Sequence, residues 1–226
     1  GQFLDPYSHT RLMAVVSVVS FGAVGLTILS IWGIEAKVTA RAEEQSAPFL
    51  EGLREIWAER KARHFTIFVF LSMSAYFMQE LILEPYSGLV FHFTPGQSTS
   101  LSGAQNGGVF LGMVLVGVAG TAPRLGSLRQ WVVGGCFGSA AALLVIAWLG
   151  QIGPSAPLLP AVVAMGFFNG VFAVAAIGSM MALAGEGRTA REGTRMGLWG
   201  AAQAIAAGFG GLIGAALVDL ARPVMG

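Results

Sequence analysis

Six long apolar runs, separated by short polar connectors, set the plan of this chain. They cover roughly 12–34, 65–92, 103–122, 131–150, 158–184 and 196–218. Each approaches or exceeds the about 20 residues that a helix needs to cross a bilayer core. Each is predicted to be helical, because backbone N–H and C=O groups facing lipid must pair within their own segment. One stretch between the first two runs has a different rhythm. Phe49, Leu50, Leu53, Ile56 and Trp57 recur at helical spacing, with Glu51, Arg54, Glu55, Glu59 and Arg60 between them. This predicts an amphipathic helix that lies on the membrane surface or packs on the cytoplasmic ends of the spans. Its plain role is a tether between two helical bundles; the alternative is a surface for a partner.

The composition agrees with this plan. The chain is 54% hydrophobic and 11% charged, with 32 glycines. That balance predicts an all-α, polytopic membrane protein and not a soluble domain. Of the thirteen lysines and arginines, all but Arg11 and Arg222 fall in three connectors. Residues 35–63 carry six of them, Arg124 and Arg129 lie between the third and fourth spans, and Arg188, Arg191 and Arg195 lie between the fifth and sixth. The alternate connectors, 93–102 and 151–157, carry none. The positive-inside rule then places the three basic connectors in the cytoplasm and both ends of the sequence outside. No basic patch with interleaved aromatics suggests nucleic-acid binding. Cys136 stands alone in an apolar run and is expected to be a small packed residue. The Gly-Gln-Phe start, with neither an initiator Met nor a basic n-region, suggests a fragment of a longer chain without a signal peptide.

Two patterns occur inside the spans. Small residues recur four apart at Gly108 and Gly112, Gly134 and Gly138, Gly166 and Gly170, and Gly210 and Gly214, a spacing that lets helix backbones approach closely. Polar residues form the second pattern. With His64 as the inner boundary, Glu80 lies about 24 Å and Glu84 about 30 Å along the helix. Pro85 follows, yet Leu89, Val90, Phe91 and Phe93 continue the apolar pattern. The chain is therefore expected to kink at Pro85 and stay in the membrane for another turn or two. Glu80 and Glu84 would then share one face, either as a functional site or as an interfacial pair satisfied by backbone freed at the kink. Gln79, Gln105, Asn106, Asn169 and Gln203 are amides at or near membrane depth. Their plain reading is a hydrogen bond to a neighbouring helix; the sharper one is the lining of a cavity for an amphipathic ligand. Amides are also weak oxygen ligands for magnesium. His92 is the best single candidate for an axial ligand to a tetrapyrrole metal, its plain reading being an interfacial histidine. No phosphate-binding glycine loop, His/Cys cluster or nucleophile elbow indicates soluble-enzyme chemistry.

Several of these stretches carry a family resemblance. Gln79-Glu-Leu-Ile-Leu-Glu-Pro-Tyr-Ser-Gly-Leu-Val-Phe, Thr94-Pro-Gly-Gln-Ser-Thr and Leu101-Ser-Gly-Ala-Gln-Asn-Gly-Gly resemble the bacteriochlorophyll delivery family, the PucC- and LhaA-like antenna-assembly proteins of purple bacteria. Gly193-Thr-Arg-Met-Gly-Leu-Trp-Gly-Ala-Ala-Gln-Ala-Ile-Ala resembles a second signature of that family, and Leu4-Asp-Pro-Tyr-Ser with Arg11-Leu, leading to Trp32-Gly-Ile-Glu35, resembles its sixth span and the approach to it. The family is similar to the major facilitator superfamily, with twelve spans in two halves. The resemblance then implies three parts. Residues 1–34 would be the last span of the N-terminal half, 35–63 the cytoplasmic linker between halves, and 64–226 five spans of the C-terminal half. Gly120-Thr-Ala-Pro-Arg124-Leu-Gly126 resembles the superfamily's short cytoplasmic loop motif, with Pro123 where an acidic residue is common. That departure suits an escort better than a pump.

The resemblance implies an assembly factor for bacterial light-harvesting antennae in the inner, intracytoplasmic photosynthetic membrane, and not an enzyme. Bacteriochlorophyll a would be a transient cargo. Antenna polypeptides would be the partners, with the reaction centre or pigment-synthesis machinery as further candidates and lipid all around. Gln79, Glu80, Glu84 and His92, with Gln105 and Asn106 from the next span, would form one polar constellation, with Asn169 and Gln203 as weaker members. The alternatives are a secondary transporter that uses a membrane carboxylate for coupling and a permanent subunit of a photosynthetic complex.

Overall fold

A computed structural model describes residues 9–32, 49–120, 126–185 and 192–225. Among them the chain forms helices α1 (His9–Ile31), α2 (Phe49–Ala58), α3 (Arg60–Phe91), α4 (Pro95–Gly120), α5 (Leu128–Ile152), α6 (Leu158–Gly185) and α7 (Glu192–Met225), and no strand. Six of these, all but α2, are long and apolar enough to cross a membrane. They coincide with the six expected spans. Residues 35–48 of the basic connector, 121–125 of the short loop motif and Arg188 and Arg191 lie outside the described residues.

Polar residues flanking the apolar cores fix the helix ends. The expected connector 93–102 is mostly helix, because Thr94-Pro95-Gly96-Gln97 starts α4 early. Thr94 N–H donates to Gln97 Oε1 at 2.9 Å, the Gln97 N–H donates back to Thr94 Oγ1 at 3.4 Å, and Pro95 takes the first helical position. Ser127 and Gln130 form the same reciprocal box at the start of α5. Helix α3 runs through Pro85 and ends six residues later, as the apolar pattern beyond the proline suggested. His92 then adopts the left-handed conformation (φ 56°, ψ 33°) and donates its N–H to the Ser87 carbonyl.

The helices form two packed groups. Helix α6 is central to one, with α4 and α5 on its flanks, and α3 pairs with α7 in the other. Half of the apolar stretch of α6 is buried, whereas none of that of α1 is. The groups meet at both ends. At one end Leu83 and Phe91 of α3 join Leu101, Ile146, Leu158, Val162 and Met165 of α4, α5 and α6. At the other, Trp199 of α7 packs with Met180 and Ala184 of α6 and Phe65 of α3. These end groupings require α3, α4, α5, α6 and α7 to run in alternating directions, as the charged connectors between them implied.

Two of the small-residue pairs face each other. A Cβ on Gly108 or Gly112 would strike the Val163 or Phe167 carbonyl of α6; one on Gly166 or Gly170 would strike the Gln105 or Val109 carbonyl of α4. Backbone therefore packs on backbone along the α4–α6 seam. On α5 the expected pair is corrected. Gly134 faces open space, and Gly135 and Gly138 are the residues that admit Phe172 and Phe168.

Candidate functional site: two clefts beside helix α3

Where the two helix groups diverge, α3 borders a cleft on each side. The first lies between α3 and α5 and has a volume of about 280 Å³. Ala75, Gln79, Ile82 and Tyr86 line it from α3, and Leu143 and Ala147 from α5. Tyr86 bridges the two helices, its hydroxyl donating to the Ile146 carbonyl at 3.0 Å. Gly150 makes this bridge possible, since any Cβ there would occupy the position of the phenol oxygen. Gln79 brings the polar feature of this apolar space. Its Nε2 is buried and has no hydrogen-bond partner.

The second cleft, about 330 Å³, lies between α3 and α7. Glu80 and Glu84 line it with Phe77 and Leu81, opposite Ala207 and Gly211. The two acids thus share one groove, as their four-residue spacing predicted. Both carboxylates lie on the exposed side of the protein. The small side chains of α7 leave them room.

The structure does not gather the expected constellation into one place. Gln79 and Glu80 are adjacent in sequence but line different clefts. His92 is exposed at the end of α3. Gln105 is buried on α4 near the α6 seam. Asn106 points outward and donates to the Ser102 carbonyl of its own helix at 3.0 Å. Asn169 is buried between helices and accepts from Ser139 Oγ at 2.7 Å, its Nδ2 lacking a partner. Gln203 reaches Met180 Sδ at 3.9 Å. On α2, Ile56 is buried and Trp57 is exposed, so the helix packs on the ends of α3 and α7 with one edge outward. The side chains of Leu50 and Leu53 lie outside the described residues. Among the described residues no group of three or more His, Cys, Asp or Glu could hold a metal ion.

Sequence reasoning used Arg195 to orient the chain and as part of a family signature, and the structure buries it. Its Nη2 pairs with Glu59 at the α2–α3 junction, and its Nη1 donates to the Leu183 carbonyl near the end of α6 at 2.8 Å. One turn on, the fully buried Trp199 donates from Nε1 to Thr66 Oγ1 at 3.1 Å and meets the Phe65 ring edge-on. The signal was in the sequence. Arg195 and Trp199 are four apart within the Gly193-Thr-Arg-Met-Gly-Leu-Trp motif, on one helical face.

Six helices long and apolar enough to cross a membrane, with polar side chains in clefts beside α3, define a multi-pass membrane protein. The chain matches the PUCC protein family over residues 1–226 and belongs to it. It is 65% identical over 223 residues to the bacteriochlorophyll synthase 44.5 kDa chain of Rhodobacter capsulatus, covering 98% of this chain and 52% of that protein. It is 29% identical over 221 residues to protein PucC of Cereibacter sphaeroides, covering 92% of this chain and 45% of that protein. Protein PucC of Rhodovulum sulfidophilum is 24% identical over 234 residues, with 98% and 49% coverage. The chain thus spans about half the length of the curated relatives it matches. No solved structure matches it.

Proposed function

We propose that this chain is the working half of a membrane assembly factor that hands bacteriochlorophyll to light-harvesting antenna polypeptides in the photosynthetic inner membrane of its bacterium. The observation that carries this reading is the match to the PUCC family along the whole chain, joined to 65% identity with a relative whose name ties it to bacteriochlorophyll. The geometry fits an escort. Its polar groups sit in lateral clefts beside α3, where a lipid-soluble cargo arrives from the bilayer. The work is binding and release, with no bond made or broken, so the reading is non-enzymatic.

Pigment is a cargo here, and the residues fit it in parts. The α3–α5 cleft is smaller than the about 300–1,000 Å³ of pockets that enclose a whole organic ligand, so it suits one limb of a tetrapyrrole and not the macrocycle. The exposed imidazole of His92 is open to a pigment magnesium held at the surface. The Glu80–Glu84 groove, floored by Ala207 and Gly211, suits a helix of an antenna polypeptide, because small residues admit a partner backbone.

The test is isolation of the full-length protein in mild detergent from photosynthetic cells. The expected sample absorbs as bacteriochlorophyll and carries small single-span polypeptides, while mature antenna complexes lack the protein. A colourless sample without antenna polypeptides overturns the reading. Proton-coupled solute uptake by the same sample would replace it with a transporter.

A further inference from the structure

Helix α2 sits at the level where a membrane changes from hydrocarbon to headgroups. A single extended residue, Glu59 (φ −73°, ψ 113°), joins it to α3, so its last turn lies close to Arg60. The apolar run of α3 starts at Phe65, which puts Arg60 about 7 Å outside the hydrocarbon at 1.5 Å per residue. The headgroup layer is about 5–8 Å thick on each side of a bilayer. Contacts with the ends of α3 and α7 hold α2 at that depth.

The side chains of α2 are sorted around its axis. At about 100° per residue, they pass in order from Ile56 through Trp57 and Arg54 to Glu51. Ile56 is 2% exposed and packs on the bundle, whereas Trp57 is 45% exposed. Arg54 and Glu51 are both exposed. The order is buried aliphatic, uncovered aromatic, cation, anion. It matches the environments met on going from protein through the membrane interface and the phosphate layer to water. Trp57 and Arg54 are three apart and therefore neighbours on one side of the helix. An indole is amphipathic and collects at headgroup level, and a tether between two bundles needs no large aromatic on an uncovered edge. A soluble partner would meet the side turned to water, which is the side of Glu51.

Charge narrows the lipid. Arg54 and Arg60 stand three residues before and three after Trp57, and both are exposed. The acid between Trp57 and Arg60, Glu59, is engaged by Arg195 of α7. The charge left beside Trp57 is thus cationic and complements an acidic headgroup.

We infer that the Trp57–Arg54 edge of α2 is a membrane-surface anchor for acidic phospholipid, with the indole among the glycerol and upper acyl groups and Arg54 and Arg60 at the phosphates. The anchor is independent of pigment delivery.

The experiment uses full-length protein without other cysteines, Cys136→Ser included. A bimane label is placed at Trp57→Cys, where its ring stands in for the indole, or at Glu51→Cys on a different side of α2. The protein is reconstituted in nanodiscs of phosphatidylcholine, with or without phosphatidylglycerol. Phospholipid carrying a nitroxide near its headgroup should quench the label at position 57 roughly threefold more than at position 51, and iodide in the water should do the reverse. Including phosphatidylglycerol should raise lipid quenching at position 57 by roughly twofold, and Arg54→Gln with Arg60→Gln should cancel that rise. Equal lipid quenching at the two positions, or iodide reaching position 57 as easily as position 51, overturns the inference. A rise that persists in the double glutamine variant overturns the assignment to acidic headgroups. Shielding of position 57 from both quenchers on addition of antenna polypeptides would give the edge to a protein partner and also overturns it. None of these outcomes bears on whether the protein carries pigment.

Discussion

At four positions on α4 and α6, a hydrogen in place of a methyl group decides how two helices meet. Gly108, Gly112, Gly166 and Gly170 each sit against a carbonyl of the opposite backbone. A side-chain clash can be relieved by a rotamer change, but a backbone clash forces the helices apart and loosens every contact along the seam. Gly166→Ala is therefore expected to destabilise the fold by about 1–3 kcal/mol, the usual range for overpacking. Gly107→Ala, on the open side of α4 with nothing near it, should be neutral or slightly stabilising through helix propensity. The half-buried Cys136 is the chain's single thiol. A thermal melt that follows its reaction with a thiol-specific dye compares the two variants directly. Equal melting temperatures would mean that the α4–α6 seam does not depend on close backbone approach.

The ends of elements do as much as their middles. At the inner ends, Arg195 ties α7 to the α2–α3 junction through Glu59 and to α6 through the Leu183 carbonyl. The cation also sits by the last turn of α6, where carbonyls lack helical donors. Arg195→Lys keeps the charge but loses the fork that reaches both partners. It is expected to free α2, so that trypsin added to the cytoplasmic side cuts at Arg54 and Arg60 several-fold faster than in the unaltered protein; an unchanged cutting rate would show that the clamp is not what holds α2. Much of this element level was legible beforehand. The six spans follow from length and hydropathy, α2 from the spacing of Phe49, Ile56 and Trp57, and the continuation of α3 past Pro85 from Leu89, Val90 and Phe91. The early start of α4 was written as Thr94-Pro95-Gly96-Gln97, a capping signal hidden among residues polar enough to read as a loop. The constellation around Gln79 was not legible, for a geometric reason. Each residue turns a helix by about 100°, so Gln79 and Glu80 leave α3 toward different neighbours. Which neighbour lies on which side is set by α5 and α7, more than sixty residues away, and no local pattern records it. The burial of Arg195 was not legible for a related reason. A cation at a span boundary serves the orientation rule equally well exposed or buried, and only packing against Glu59 and Leu183 distinguishes the two.

For the whole molecule, the alternation of basic connectors predicts a sidedness that can be checked at two well-placed serines. Ser127 and Ser155 are both exposed in short turns at opposite ends of α5. In a Cys136→Ser background, Ser127→Cys should react with a membrane-impermeant maleimide only from the cytoplasmic side and Ser155→Cys only from the opposite side. The reverse pattern would invert the molecule and move both clefts to the other leaflet. Sidedness matters because the expected orientation would put the groove of Glu80 and Glu84, whose other wall is Ala207 and Gly211 of α7, in the outer half of the bilayer. Two carboxylates on one outward face, beside Phe77 and Leu81, are hard to account for by stability alone. If the groove docks an antenna helix, Glu80→Gln and Glu84→Gln together should leave the protein membrane-inserted at normal levels while lowering the yield of assembled antenna at least fivefold. Gly211→Leu, which fills the groove from α7 without touching either acid, should produce the same defect. Normal antenna yield in the double glutamine variant would mean that the acids do not take part in docking. A defect in Gly211→Leu alone would assign the contact to the shape of the groove and not to its charge.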